Sequence, residues 1–334
     1  MPHTYQLHKR HLLKTAAIAM TGAGGFANAA SARADEPAAF VLVHGGWHAA
    51  WCYERIVPRL AAAGHAAIAR DLPGKGLAAR LPHSDGSSPE AFAAERSPLA
   101  DIGLDDYADS VIATIDSLRA AGHRRVVLVG HSMGGIALCA VGERVPEKVQ
   151  ALVYRAAHVP GPRMPAGAYF ALPEAADARV NPALLGDPFA IGAFRIDPRR
   201  TEPAYRAALR AAFYNDASEA DFEAAAHLLT PDMPLKPLTT PVAASASRWG
   251  AIARHYIVCA QDNAVPPVLA RRFIADADAL APRNPTQVHM LPTGHSPFLT
   301  APDALADLLL RIAASTPKAS AHAANIKNAA KVKP

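Results

Sequence analysis

Between residues 39 and 314 the chain alternates between two rhythms of apolar and polar positions. Short unbroken apolar runs such as Ala39-Phe40-Val41-Leu42-Val43 have the length and branching of buried strands, and longer runs repeat at helical spacing. The pattern predicts strands near 40–44, 66–70, 126–130, 149–156, 255–260 and 286–291, with helices near 51–63, 105–121, 133–145, 266–280 and 302–314. Such alternation predicts an α/β fold, a mostly parallel sheet with helices on both faces. Over residues 158–254 the rhythm breaks, proline becomes frequent, and two amphipathic runs appear at 203–213 and 218–229. This segment reads as a cap inserted between core segments 35–157 and 255–314. Residues 74–103, rich in Pro, Ser, Gly and Ala, read as a long loop with one short helix, placed to shape a pocket mouth.

One strand carries chemistry at its end. Val126-Val127-Leu128-Val129 runs straight into Gly130-His131-Ser132-Met133-Gly134, and an apolar helical run follows. Strand, sharp Gly-flanked turn and helix are the setting of a nucleophile elbow, which makes Ser132 the candidate nucleophile. Gly130 and Gly134 supply the room that a strained turn needs. The helix N-terminus beside the hydroxyl favours developing negative charge.

A serine nucleophile needs a base, an orienting acid and an oxyanion hole, and α/β-hydrolases present the triad in the order Ser, Asp/Glu, His. Asp262 lies in the polar turn after the strand His255-Tyr256-Ile257-Val258-Cys259 and is the candidate acid. His295 follows the last strand on a Gly-containing loop and is the candidate base. With 15 histidines in the chain, position must decide between them. His289 alternates with apolar residues inside a strand and reads as packed or surface, whereas His131 supports the elbow. Asp276 and Asp278 read as a solvated helix face. After the first strand, His44-Gly45-Gly46-Trp47 matches a loop that supplies an oxyanion N–H, so the expected donors are the backbone N–H groups of Gly46 and Met133. Phe170, Leu172, Phe189, Phe194 and Phe213 are candidates to line an acyl or aromatic pocket.

The stretch from Phe40 to Trp51, the segment from Tyr256 to Pro266 and the run from Tyr214 to Phe222 together resemble the plant salicylate-binding methyl esterases and their hydroxynitrile lyase relatives. The likeness runs in blocks from about Phe40 to Ile312. It implies an α/β-hydrolase fold, an inserted cap, the triad Ser132, Asp262 and His295, and oxyanion donors Gly46 and Met133. The lyases carry a lysine directly after the triad histidine, where this chain has Ser296. The resemblance therefore points to a carboxylic ester hydrolase acting on a small, aromatic or apolar ester without a cofactor. Two other readings stand beside it: a ligand-binding protein that keeps the triad but turns over slowly, and a lyase-like enzyme.

The chain ends change the picture of charge. The formal net charge of +5 comes from Lys9, Arg10, Lys14 and Arg33 at one end and Lys318, Lys327, Lys331 and Lys333 at the other. Removing these eight leaves 26 basic residues against 29 acidic ones, and no basic stripe predicts a nucleic-acid partner. Residues 1–34 have a signal-peptide layout with an Ala-x-Ala site ending at Ala34, and Lys9-Arg10 followed by Leu12-Leu13 resembles a twin-arginine export signal. An exported protein, periplasmic or secreted, is the expectation. The apolar run is too short and polar for a stable membrane span. Residues 315–334 read as a disordered basic tail. Cys52, Cys139 and Cys259 are too few for a disulfide framework, and no His/Cys cluster has metal-ligand spacing.

Overall fold

The six predicted core strands pair into one parallel sheet, in the order Ala66–Arg70, Ala39–Val43, Val126–His131, Ala151–Arg155, Ala253–Cys259 and Gln287–Leu291. The strands are β1 (Ala39–Val43), β2 (Ala66–Arg70), β3 (Val126–His131), β4 (Ala151–Arg155), β7 (Ala253–Cys259) and β8 (Gln287–Leu291). Two short strands, β5 (Ala193–Arg195) and β6 (Asp232–Pro234), form a separate antiparallel pair inside the segment 158–254. The computed structural model describes residues 36–84, 88–159, 161 and 164–316, so the expected signal peptide and most of the expected basic tail lie outside the described residues. The described residues from Pro37 to Thr316 form one compact unit.

Side-chain alternation along the buried strands builds two cores. Ala39, Val41 and Val43 of β1, with Val126 and Leu128 of β3, face one cluster shared with the helices Leu104–Ala120, Gly134–Arg144 and Pro267–Leu280. Phe40, Leu42, Val127 and Val129 face the other, shared with Leu60 of the helix Val57–Ala62 and with the helix Pro302–Ser315. A period of two thus sorts each run between the faces of a doubly covered sheet. At the edge, Val288 and Met290 of β8 are more than half exposed. The predicted helices are found within a few residues, except that the run near 51–63 splits into a 3-10 turn, Ala50–Tyr53, and a helix starting at Val57 beside Pro58.

The position of β1 sets the site. β1 pairs with β2 on one side and β3 on the other, so the chain reverses its winding direction between β1 and β3. At such a switch point the loops leaving neighbouring strands diverge and open a crevice at their C-terminal ends. The loops leaving here are Gly45-Gly46-Trp47 and the turn at Ser132.

Two expectations need correction. Residues 74–103 contain a 3-10 turn, Gly76–Ala78, and a helix, Pro89–Ala94, and among the described residues none of them lines the apolar cavity of the cap. They support the cap instead: Ser97 N–H donates to the Ile191 carbonyl, and the Arg195 guanidinium bonds the carbonyls of Phe92 and Glu95. Asp276 and Asp278 are half-buried tertiary anchors rather than a solvated face. Asp276 accepts from the Tyr169 hydroxyl at 2.6 Å, and Asp278 accepts the Thr286 N–H at 2.8 Å.

Candidate active site

Ser132 sits at the end of β3 with φ of 50°, in the left-handed region where a side chain other than hydrogen is strained. The turn is held from both sides: Ser132 N–H donates to the Arg155 carbonyl at 3.3 Å, and the Ser132 carbonyl accepts from Gly135 and His158 N–H groups at 3.0 Å each. Close packing dictates the two motif glycines. A Cβ on Gly134 would lie 2.6 Å from the His44 carbonyl oxygen, and one on Gly130 only 3.1 Å from the Gly134 carbonyl carbon. The helix therefore starts directly against the ends of β1 and β3, its N-terminus beside Ser132.

The loop after β1 is set by two buried histidines. His44 Nε2 accepts the Leu72 N–H at 3.0 Å, which places the ring proton on Nδ1, donating to the Gly45 carbonyl at 2.8 Å. In a planar trans peptide this turns the Gly46 N–H the opposite way. His48 Nδ1 likewise donates to the Gly46 carbonyl at 2.8 Å while its Nε2 accepts from the Tyr214 hydroxyl at 2.9 Å. Burial pushes the His44 imidazole down to about 4 and the His48 imidazole to about 3, so both are neutral near pH 7 and keep these tautomers. Among the described residues the N–H groups of Gly46 and Met133 donate to no protein acceptor. A Cβ on Gly45 would lie 2.8 Å from the Ser132 Cβ, so this loop lies against the elbow.

Asp262 and His295 are brought together. His295 Nδ1 lies 2.9 Å and 3.0 Å from the two Asp262 oxygens, with both side chains buried. Asp262 Oδ1 also accepts the N–H groups of Ala264 and Val265 at 2.8 Å and 2.9 Å, which orients the carboxylate. The His295 ring packs against His131 with centroids 4.5 Å apart, next in sequence to Ser132. Among the described residues the Ser132 hydroxyl makes no hydrogen bond to His295, a contact often long before substrate binds. The other histidine expectations also have places: His131 is fully buried between His295 and His48, and His289 stacks on His255.

A family model described as "Alpha/beta hydrolase family" matches residues 40–308. The chain belongs to this family. Methylesterase 7 of Arabidopsis thaliana is 30% identical over 279 residues, covering 82% of this chain and 95% of the relative. Probable esterase PIR7A of Oryza sativa subsp. indica is 31% identical over 282 residues, covering 82% and 96%. Among solved structures, polyneuridine aldehyde esterase superposes with a TM-score of 0.62 at 25% identity, over 83% of this chain and 99% of that one. The pyrethroid hydrolase PytH shares the fold at a TM-score of 0.64, with 24% identity and coverage of 83% and 98%. The relatives are thus esterase-type members of the alpha/beta hydrolase family.

Sequence reasoning missed the parts of this alpha/beta hydrolase that hold the site from outside. Asp216 Oδ2 accepts from the Gly294 N–H at 2.8 Å and from the Thr300 hydroxyl at 2.9 Å, pinning the loop of His295. Asn215 Nδ2 donates to the Gln261 carbonyl at 2.9 Å, beside Asp262. Arg155, at the end of β4, is fully buried with its guanidinium 4.9 Å from the Phe298 ring and 3.4 Å from the His295 carbonyl. No spacing signals these contacts, because each joins segments far apart in sequence. Above the loop lies an apolar cavity of about 430 Å³. Phe170, Phe189 and Phe194 wall it as expected; Leu172 does not, and Phe213 packs instead on Trp47 and His295. Among the described residues no His, Cys, Asp and Glu side chains group as metal ligands, and no helix is long and apolar enough to cross a membrane. All three cysteines are free and buried.

Proposed function

We propose that this chain hydrolyses carboxylic esters through an acyl-enzyme on Ser132, with His295 as general base and acid and Asp262 as its orienting partner. The observation that carries this reading is the buried Asp262–His295 hydrogen bond at 2.9 Å, set beside a left-handed serine at a helix N-terminus. Asp262 accepts the Nδ1 proton, so Nε2 is the lone-pair nitrogen available to take a proton from the Ser132 hydroxyl. Ser132 Oγ then forms a bond to the ester carbonyl carbon, and the carbonyl π pair moves onto oxygen. The free N–H groups of Gly46 and Met133 are the donors for that oxyanion, each worth about 3–4 kcal/mol at comparable sites. Collapse expels the alkoxide, which takes the proton from His295 and leaves as an alcohol. Water, deprotonated in turn by His295, attacks the acyl-serine; the serine oxygen recovers the proton and the carboxylic acid departs.

The names of the relatives, a methylesterase and a probable esterase, support the same class of substrate, a carboxylic ester. The test is direct. The protein should hydrolyse p-nitrophenyl acetate and take up one phosphonyl group from an organophosphonate, located by peptide mass spectrometry on Ser132. Phosphonylation at another residue, or none with no turnover, contradicts the assignment. Export remains a separate proposal resting on residues 1–34: N-terminal sequencing of secreted protein should begin at Asp35, and a mature chain retaining Met1 contradicts it.

A further inference from the structure

We propose that Met233 is a movable gate between the nucleophile and the cap cavity, and that its resting position limits how well esters with a bulky, uncharged apolar part are accepted relative to small ones. This rests on the esterase reading above. The cavity of about 430 Å³ lies in the size range of small-molecule sites, and among the described residues no charged side chain walls it. Its largely aromatic and aliphatic wall suits a hydrocarbon or aryl group, with Asn181 and Thr239 as polar points in it. Yet among the described residues neither Ser132 nor His295 lines it. Something stands between the reacting atoms and the space that would hold the substrate.

Two side chains occupy that position, and they differ in freedom. Trp47 walls the cavity and directly follows the proposed oxyanion donor. It is locked: its indole N–H donates to the Phe194 carbonyl at 3.0 Å, and its own carbonyl accepts the Thr230 N–H at 2.9 Å. Met233, in the middle of β6 opposite Phe194, also walls the cavity, and its thioether lies over Gly46. A Cβ built on Gly46 would fall 2.1 Å from Met233 Sδ. The backbone of Met233 is held in the strand pair, but its side chain, though buried, is unbranched, has several rotatable bonds and borders the cavity into which it can turn. Turning it off Gly46 joins the cavity to the oxyanion loop, whereas its resting position shortens the space beside Ser132. An acetyl or methyl group needs no such movement, and a longer apolar group does.

The experiment compares p-nitrophenyl octanoate with p-nitrophenyl acetate in wild type, Met233→Ala and Met233→Phe, with active sites counted by phosphonate titration. The readout is the ratio of kcat/KM for the long ester to that for the short one. Met233→Ala should raise this ratio by about tenfold, the scale of a methylene-sized change in an apolar pocket, and Met233→Phe should lower it by a similar factor. A residue that only packs β6 against the loop would lower both rates together and leave the ratio within about twofold of wild type. That result, or a fall in the ratio for Met233→Ala, overturns the gate, and the alanine variant decides the matter even if the phenylalanine variant does not fold. Wild type that neither turns over the acetate nor takes up the phosphonate overturns the esterase reading itself, and the gate with it.

Discussion

The end of the sheet that carries Ser132 and the cap segment 158–254 are held together by different physics. β1, β3 and β4 are buried along their whole length, and their positions follow from apolar alternation and parallel pairing alone. The cap has few long elements and is stitched by buried polar groups. Arg195 and Asp232 form a fully buried ion pair, with contacts of 2.7 Å on both guanidinium arms. Lys75, also fully buried, crosses from the 74–103 insert to bond Thr230 Oγ1 and the Asp232 carbonyl at 2.6 Å each. An apolar core forgives substitution of one hydrocarbon by another, whereas a buried charge without its partner is costly. The proposed chemistry is thus mounted on the tolerant region and the apolar cavity on the specific one.

This contrast breaks first at the proposed nucleophile. Ser132→Ala should lower kcat for an ester by about 10⁴-fold or more, since losing a triad nucleophile removes the acyl-enzyme route. Its thermal midpoint should stay near wild type, because the turn is held by backbone bonds. In the cap the expected effects are reversed. Asp232→Ala leaves the Arg195 guanidinium buried without its carboxylate and should cost about 3–5 kcal/mol in urea unfolding. A loss below about 1 kcal/mol would mean that water reaches Arg195 and the cap is not sealed as described.

Asp216 joins the two regions and should show a mixed phenotype. Asp216→Ala removes the acceptor for Gly294 N–H and the Thr300 hydroxyl, freeing the loop of His295. Steady-state kinetics should give a fall in kcat of about tenfold, with KM changing less, because geometry at the base is lost rather than the cavity. An unchanged kcat would show that His295 is positioned by Asp262 alone.

A pH dependence in the cap tests the same contrast. Burial pushes the Lys75 ammonium down from 10.5 to about 7. Between those values the unfolded chain binds a proton that the folded chain does not, so stability from this group rises with pH across that window. Below about pH 7 both states are protonated and the full burial penalty applies; above about 10.5 it is gone. Lys75→Met removes the group, so the stability of wild type minus that of the variant should grow by a few kcal/mol at most from pH 7 to 10. A difference that is flat with pH would show that Lys75 keeps its proton throughout, held by its two oxygen partners.

Much of the site was legible along the chain because each part is local. Gly-x-Ser-x-Gly after an apolar run requires a strand, a turn and a helix within a dozen residues, and the loop His44-Gly45-Gly46 likewise directly follows its strand. Asp262 and His295 could be chosen by their place after strands, because parallel strands present their C-terminal ends on one edge. The two-stranded pair of the cap was not legible: Ala193–Arg195 and Asp232–Pro234 are three residues each, too short for a period to show. Asp276 and Asp278 looked solvated because helical spacing places them outward from their own helix, and only the neighbouring segments cover them.

Local chain order by itself determined the sheet, the elbow and the order of the candidate triad, since apolar period and turn chemistry act over a few residues. Which histidines are neutral, which loop Asp216 clamps, and whether Met233 or Trp47 faces Gly46 were decided only by tertiary packing. Burial, close contact and hydrogen-bond pairing depend on atoms that chain order leaves tens to hundreds of residues apart. His48 and Tyr214, with 166 positions between their numbers, share one hydrogen bond, and its effect on the oxyanion loop appears only when the cap is closed over the sheet.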